Sequence, residues 1–471
     1  MPSNQTSKHH RQLLYQRMKH CLITAELLNR RLVSYQANKE LPFYRWFKYR
    51  EGFSSELVSF FLEKFHSKTG KLLDPFAGVG TSLFTAQELG WESVGIEVMP
   101  VGIFAMTARQ AANNVCAHEL QKTADYILRK LPQTVADVII QHIPITKDAF
   151  PPETEELLNR YVSLCSQIKD RTLQSIMQFA AFSILEDISF TRKDGQFLRW
   201  DYRSVRNLSG KPFDKGKIFT FEEALMGKID VIINDLSSQT APTLFPDNVS
   251  SSNKPPIQLL AGSCLEILPE MESDQFDFVM TSPPYCNRYD YTRTYALELV
   301  YLGIDFPGIK KLRQTLLSCT VENKDKREHI QSLYASLGKE NDYQKIQNVY
   351  DTLPAMREVN TVLEHLNHQN LLNNKAVSKM VRNYFFEMCF VIAEMSRLMK
   401  KDGYCVMVND NVRYGGEEIP VDLILSSFAE QLGFNVRQIY VLPQGKGNSS
   451  QQMGTYGREE IRKCVYLWQK Q

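Results

Sequence analysis

Lys71-Leu72-Leu73-Asp74-Pro75-Phe76-Ala77-Gly78-Val79-Gly80-Thr81 is the stretch on which the fold turns. A short apolar run ends in an acid and a proline, and Ala77–Thr81 follows as a tight glycine turn. Ser82–Leu89 reads as a helix stopped by Gly90, and Val94-Gly95-Ile96-Glu97 as a second strand, again ending in an acid. Strand, turn, helix and strand within about 27 residues open a doubly wound α/β sheet. A parallel strand feeding a helix N-terminus brings backbone N–H groups close to a ligand, and Gly78 and Gly80 have no Cβ to block that approach. Glu97, 19 residues after Gly78, ends the second strand where a carboxylate can accept hydrogen bonds from both hydroxyls of a ribose.

By spacing alone a nicotinamide or flavin cofactor fits this turn equally well. Two details point elsewhere. The third glycine of G-x-G-x-x-G is missing, and Asp74 stands before the turn, where a carboxylate pairs better with a cation than with a pyrophosphate. S-adenosylmethionine, which carries a sulfonium and an ammonium, satisfies both.

Outward from this unit the sheet resumes with strand-like Ile257–Gly262 and Phe276–Ser282. A long amphipathic helix Lys375–Lys400, strand Tyr404–Val408, helix Val421–Leu432 and strands Val436–Leu442 and Cys464–Trp468 follow. Gly445, Gly447, Gly454 and Gly457 make the loop before the last strand flexible. The pieces 71–111, 256–303 and 375–471 thus make one core, interrupted by insertions 112–255 and 304–374. The first insertion reads as helical to about Ile188 and loop-rich beyond, the second as helical and polar. Residues 1–70 read as a helical lead-in. There Phe43-Tyr44-Arg45-Trp46-Phe47-Lys48-Tyr49-Arg50 leads into Phe53-Ser54-Ser55-Glu56, with Ser54 or Ser55 placed to cap the next helix.

Phe276-Asp277-Phe278-Val279-Met280-Thr281-Ser282-Pro283-Pro284-Tyr285 is a buried strand running into two prolines, so the chain leaves the sheet rigidly at its carboxyl edge. Ligand chemistry occurs at that edge. The turn offers acceptors, the Ser282 hydroxyl and the Pro283 carbonyl, which suit an exocyclic amino group. Tyr285 adds a π-face for a planar base.

Asp74–Thr81 resembles motif I, and Thr281-Ser282-Pro283-Pro284-Tyr285 motif IV, of the amino-directed DNA methyltransferases. Serine before two prolines and tyrosine is the form typical of the cytosine-N4 enzymes. The resemblance implies a class I methyltransferase (Rossmann-like) fold, a mostly parallel doubly wound sheet with an antiparallel last strand, carrying two largely helical or irregular insertions. It implies that Asp74, Phe76, Gly78, Gly80 and Thr81 line the S-adenosylmethionine site, that Glu97 holds the ribose, and that Phe53 and Ser54, in a motif X-like segment, lie near the methionine end. Ser263 stands where the family commonly has aspartate and can still accept from the adenine amine. Ser282, Pro283, Pro284 and Tyr285 are the implied catalytic residues, acting on a base flipped out of double-stranded DNA.

Between Arg192 and Lys217 eight basic residues (192, 193, 199, 203, 206, 211, 215, 217) face three acids (194, 201, 214), with aromatic residues interleaved. Phosphate-binding charge beside base-stacking rings is a nucleic-acid footprint. Arg192, Lys193, Arg199, Trp200 and Arg203, with Arg288 after motif IV, are therefore the expected DNA contacts. The second insertion has a weaker charge signal, yet it occupies a target-recognition slot in one motif order of the family.

The whole chain has 471 residues, 43% hydrophobic and 23% charged, with net charge +2, an ordinary globular balance whose total decides nothing about partners. No apolar run reaches membrane-spanning length, the polar, basic N-terminus lacks a signal-peptide core, and nine scattered cysteines without a CxxC pair support neither a disulfide framework nor a zinc ribbon. The expectation is a cytoplasmic, prokaryotic, metal-free enzyme of restriction–modification or phage defence, with a cognate endonuclease or defence subunit as partner and no membrane. Cys286 resembles the Pro-Cys nucleophile of carbon-5 enzymes, but Tyr285 intervenes. The alternatives are an adenine-N6 enzyme, an RNA guanine-amine methyltransferase, a non-catalytic DNA-binding scaffold and a nicotinamide oxidoreductase.

Overall fold

The computed structural model describes residues 8–65, 68–194, 197–206, 212–240, 254–443 and 460–471. The four loop glycines and Lys211 of the basic run lie outside them. Among the described residues one sheet contains β1 (Leu22–Thr24), β2 (Lys71–Asp74), β3 (Glu92–Glu97), β4 (Ile257–Ala261), β5 (Phe276–Thr281), β6 (Met399–Asp410), β7 (Phe434–Val441) and β8 (Lys463–Lys470). Their spatial order is β1-β7-β8-β6-β5-β2-β3-β4. Neighbours from β6 to β4 are parallel, as are β1 and β7, whereas β8 is antiparallel to both β6 and β7. The chain therefore forms the mostly parallel, doubly wound sheet with an antiparallel last strand.

Side chains alternate between the two faces, as the pleat requires. Leu72, Phe278, Met280, Val406 and Val408 join a core with α1 (Ser55–Phe65) and α2 (Thr81–Glu88). Leu73, Val279, Cys405 and Met407 join another with α6 (Val377–Leu398) and α7 (Val421–Gln431). The second insertion packs on that side, where the Tyr334 and Tyr343 rings meet Phe390 and the Tyr350 ring meets Phe386. α1 is capped by Ser54, whose Oγ accepts from the Leu57 N–H at 3.1 Å.

The first insertion shares a separate core with the lead-in and the catalytic core. α3 (Pro100–Ala111), α4 (Arg171–Ile188) and α5 (Phe221–Thr240) bury it together with Trp46, Phe47 and Tyr49. α5 corrects the loop-rich expectation: Leu225, Ile229, Ile232 and Leu236 are buried at helical spacing along its 20 residues. Its Asp235 is buried and anchors the aromatic-basic stretch, accepting from the Phe43 N–H at 2.9 Å, from Trp46 Nε1 at 2.8 Å and from the Arg45 guanidinium. A second correction concerns the lead-in, which contains β1 as well as helices. A three-residue strand is too short to show periodicity and exists through its pairing with Ile439–Val441.

Candidate active site

β2 and β5 are neighbours, and both sequence motifs leave the sheet at their carboxyl ends, where α/β proteins bind ligands. Asp74 ties the two together. Its buried carboxylate accepts from Thr281 Oγ1 at 2.7 Å, from the Phe76 N–H at 3.0 Å and from the Ser82 hydroxyl. Burial pushes this carboxyl up to about 6, with the three hydrogen bonds pulling the other way. Glu97 accepts three backbone N–H groups, from Gly78 at 2.6 Å, Val98 at 2.9 Å and Met99 at 2.7 Å. Burial raises it to about 7.

Gly78 has φ +56°, and a Cβ there would meet the Tyr49 ring at 3.0 Å. Gly80, at φ +78°, serves helix packing instead: its Cβ would press on Met106 and Phe84 at 2.9 Å.

Phe53, Asp74, Phe76, Gly78, Thr81, Glu97 and Ser263 line one cavity. Ser282 and Pro284 from the second motif border it, as do Tyr49, Glu51, Tyr291 and Leu316–Leu317. Ser54 and Gly80 do not border it. Glu51, Asp74 and Glu97 are its charged groups; no lysine or arginine lines it among the described residues.

Tyr285 borders a second cavity, with Arg30, Arg50, Asp410 and Lys463. Glu51 and Gly52 border both cavities. The turn from Ser282 to Tyr285 is thus a wall between an acidic space and one of mixed charge, three cations beside Glu51 and Asp410, and the Ser282 hydroxyl reaches across toward the Tyr285 hydroxyl at 3.4 Å. Cys286 is fully buried, burial pushes its thiol far up, and its carbonyl accepts from Tyr414, an environment for packing rather than nucleophilic attack.

The expected DNA contacts separate by strand register. In the hairpin Thr191–Asp194 with Phe197–Trp200, Arg192 is exposed but Lys193 is 4% exposed. Lys193 is a correction: its ammonium pairs with buried Glu298 and lies 4.7 Å from the Tyr295 ring centroid, so it holds the insertion to the segment after motif IV. Period-two alternation in a charged strand was the signal for it. Arg199 pairs with Asp194 at 3.4 Å and lies over Phe213, Arg203 forks onto Asp201, and Trp200 is covered by Arg206. Arg288 donates to Asn373 at 2.9 Å, joining the motif IV loop to the end of the second insertion.

Several site residues escaped sequence reasoning. Tyr49 was in view as part of an aromatic run, and Glu51 sits two residues before Phe53. The structure gives Glu51 two buried partners, the hydroxyls of Tyr289 and Tyr295. Asp410 and Lys463 are cross-strand partners of β6 and β8, 53 residues apart, with no local signal.

No family model and no solved structure matches the chain. Curated relatives do. The Type II methyltransferase M.AvaI of Nostoc sp. is 45% identical over 461 residues, covering 97% of this chain and 92% of the relative. The Type II methyltransferase M.BsoBI of Geobacillus stearothermophilus is 41% identical over 467 residues, covering 96% and 90%. A shorter match, 25% over 162 residues, covers 34% of the chain and 27% of the Type II methyltransferase M.MjaII of Methanocaldococcus jannaschii. With relatives at this identity along nearly its full length, the two-cavity site sits in a chain that belongs to the type II DNA methyltransferases.

Proposed function

We propose that the chain transfers a methyl group from S-adenosylmethionine to the exocyclic N4 amine of a cytosine flipped out of double-stranded DNA, at a specific site, as the methylating half of a restriction–modification pair with a cognate endonuclease. One observation carries this reading: a cavity whose charged groups are all acids meets, across Ser282–Tyr285, a cavity that brings in three cations, Arg30, Arg50 and Lys463, beside two carboxylates. An acidic, glycine-floored space suits a ligand bearing a sulfonium and an ammonium and repels a pyrophosphate. When bound there, the cofactor supplies an activated methyl group.

The chain's own residues do the rest. Glu97 keeps lone pairs free for a ribose while holding the Gly78 turn. Ser282 and the Pro283 carbonyl accept hydrogen bonds from the amine's N–H groups, which favours a nitrogen with a localised lone pair, and Tyr285 stacks on the ring. Catalysis is then chiefly positioning, since the methyl donor is already activated. Arg192, Arg199, Trp200 and Arg203 on the hairpin, with Arg288 beside the turn, are proposed to contact the duplex.

Incubation of the purified chain with radiolabelled S-adenosylmethionine and unmodified DNA, followed by nucleoside analysis, is expected to yield N4-methylcytosine. Label in adenine would assign the N6 alternative, and label confined to RNA would overturn the reading.

A further inference from the structure

The second cavity carries an assignment of its own, resting on the cytosine reading above. Asp410 ends β6 and Lys463 begins β8, directly opposite in the antiparallel ladder, and the ammonium pairs with the carboxylate at 3.1 Å. Asp410 is 8% exposed and Lys463 about 30% in its side chain, so the acid is fixed and the cation reaches the cavity. Tyr285 borders the same space. A buried carboxylate that orients one partly exposed ammonium leaves that ammonium with N–H donors to spare.

Cytosine with its N4 amine on the Ser282 and Pro283 acceptors must turn its remaining edge, N3 and the O2 carbonyl, into this cavity. Both atoms are acceptors and need donors. Adenine laid over the same frame places N1 where cytosine has N3, but a C–H where cytosine has O2. A cation at that point therefore rewards cytosine and offers adenine nothing, and a site built to bond a carbonyl rejects a ring lacking one. We propose that Lys463, oriented by Asp410, reads the O2 carbonyl of the flipped cytosine and is the residue that sets cytosine over adenine.

The test uses the full-length protein, unmodified DNA and S-adenosylmethionine. Wild type is compared with Lys463→Met, Lys463→Arg and the donor-free, charge-neutral double variant Asp410→Asn/Lys463→Met. Nucleoside products are quantified by mass spectrometry, and cofactor affinity and melting temperature report folding. Lys463→Met is expected to lose about 10- to 100-fold in kcat/KM for N4-methylcytosine formation, the range for one charge-assisted hydrogen bond, with cofactor affinity unchanged. Lys463→Arg should recover part of it. The double variant, folded and binding cofactor, should be as impaired as Lys463→Met. N4-methylcytosine formed by the double variant or by Lys463→Met at the wild-type rate overturns the assignment while leaving the cytosine reading intact. Wild type making N6-methyladenine instead overturns both.

Discussion

The two cavities that share the Ser282–Tyr285 wall differ in chemistry: the charged groups of the first are all acids, whereas the second sets three cations beside two carboxylates. The first is floored by backbone: a glycine turn, amides held by Glu97, and carboxylates whose burial raises their proton affinity. The second is walled by side chains from distant strands and from the lead-in, with Arg30, Arg50 and Lys463 in its lining. The difference teaches where each ligand's identity is read. In the proposed reading, a cofactor common to many enzymes is held by a turn that the chain makes locally, whereas a target is held by residues that meet only when the sheet closes.

The sharpest challenge to this division is Ser282→Ala. The hydroxyl's one protein partner lies at 3.4 Å, so its loss orphans little. Turnover should drop by at least about 100-fold, as when a group aimed at the reacting centre is removed, while calorimetric cofactor affinity stays within about twofold. Glu97→Gln comes next. An amide cannot accept from three backbone N–H groups through two oxygens, so cofactor affinity should fall about 10-fold or more, roughly one charge-assisted hydrogen bond, and DNA affinity should hold.

Proton linkage tests the acidic side alone. Asp74 at about 6 and Glu97 at about 7 sit above ordinary carboxylate values, so the folded chain holds these protons more tightly than the unfolded one. The stability they contribute is complete below about pH 4 and is lost as pH rises through about 6 to 7. A cationic ligand favours the charged forms. The rise in melting temperature given by saturating cofactor should therefore be several-fold larger at about pH 8 than at about pH 5.5. Equal shifts would break the electrostatic account. The smallest effect belongs to Arg30→Ala in the second cavity. It should weaken DNA binding about threefold and reduce the salt slope of binding by about one, with melting temperature and cofactor affinity unmoved.

How far the molecule could be read from its sequence follows the same boundary. β2, the glycine turn, β3 and β5 were legible because each is a short apolar run ended by an acid, glycine or proline within a few residues. Seven of the nine cofactor-site expectations line one cavity, and Ser54 and Gly80 hold the elements around it. β1 was not legible, since three residues carry no period and their partner lies over 400 positions later. Lys193 looked solvated because a basic run was counted as composition rather than as a strand with an inside and an outside. Asp410 and Lys463 each look ordinary until the antiparallel ladder sets them face to face.

The edge strand β1 also orders events in time. Leu22–Thr24 can hydrogen-bond to Ile439–Val441 only after the more than 400 intervening residues have been made, and non-local pairings of this kind form late. β8, the strand between β6 and β7, is made later still. The sheet, and with it the second cavity, closes only once β8 is in place. A chain not yet extended to β8 would therefore own the local turn proposed for the cofactor without the walls proposed to choose a base, so in this reading selectivity follows cofactor binding in the order of assembly.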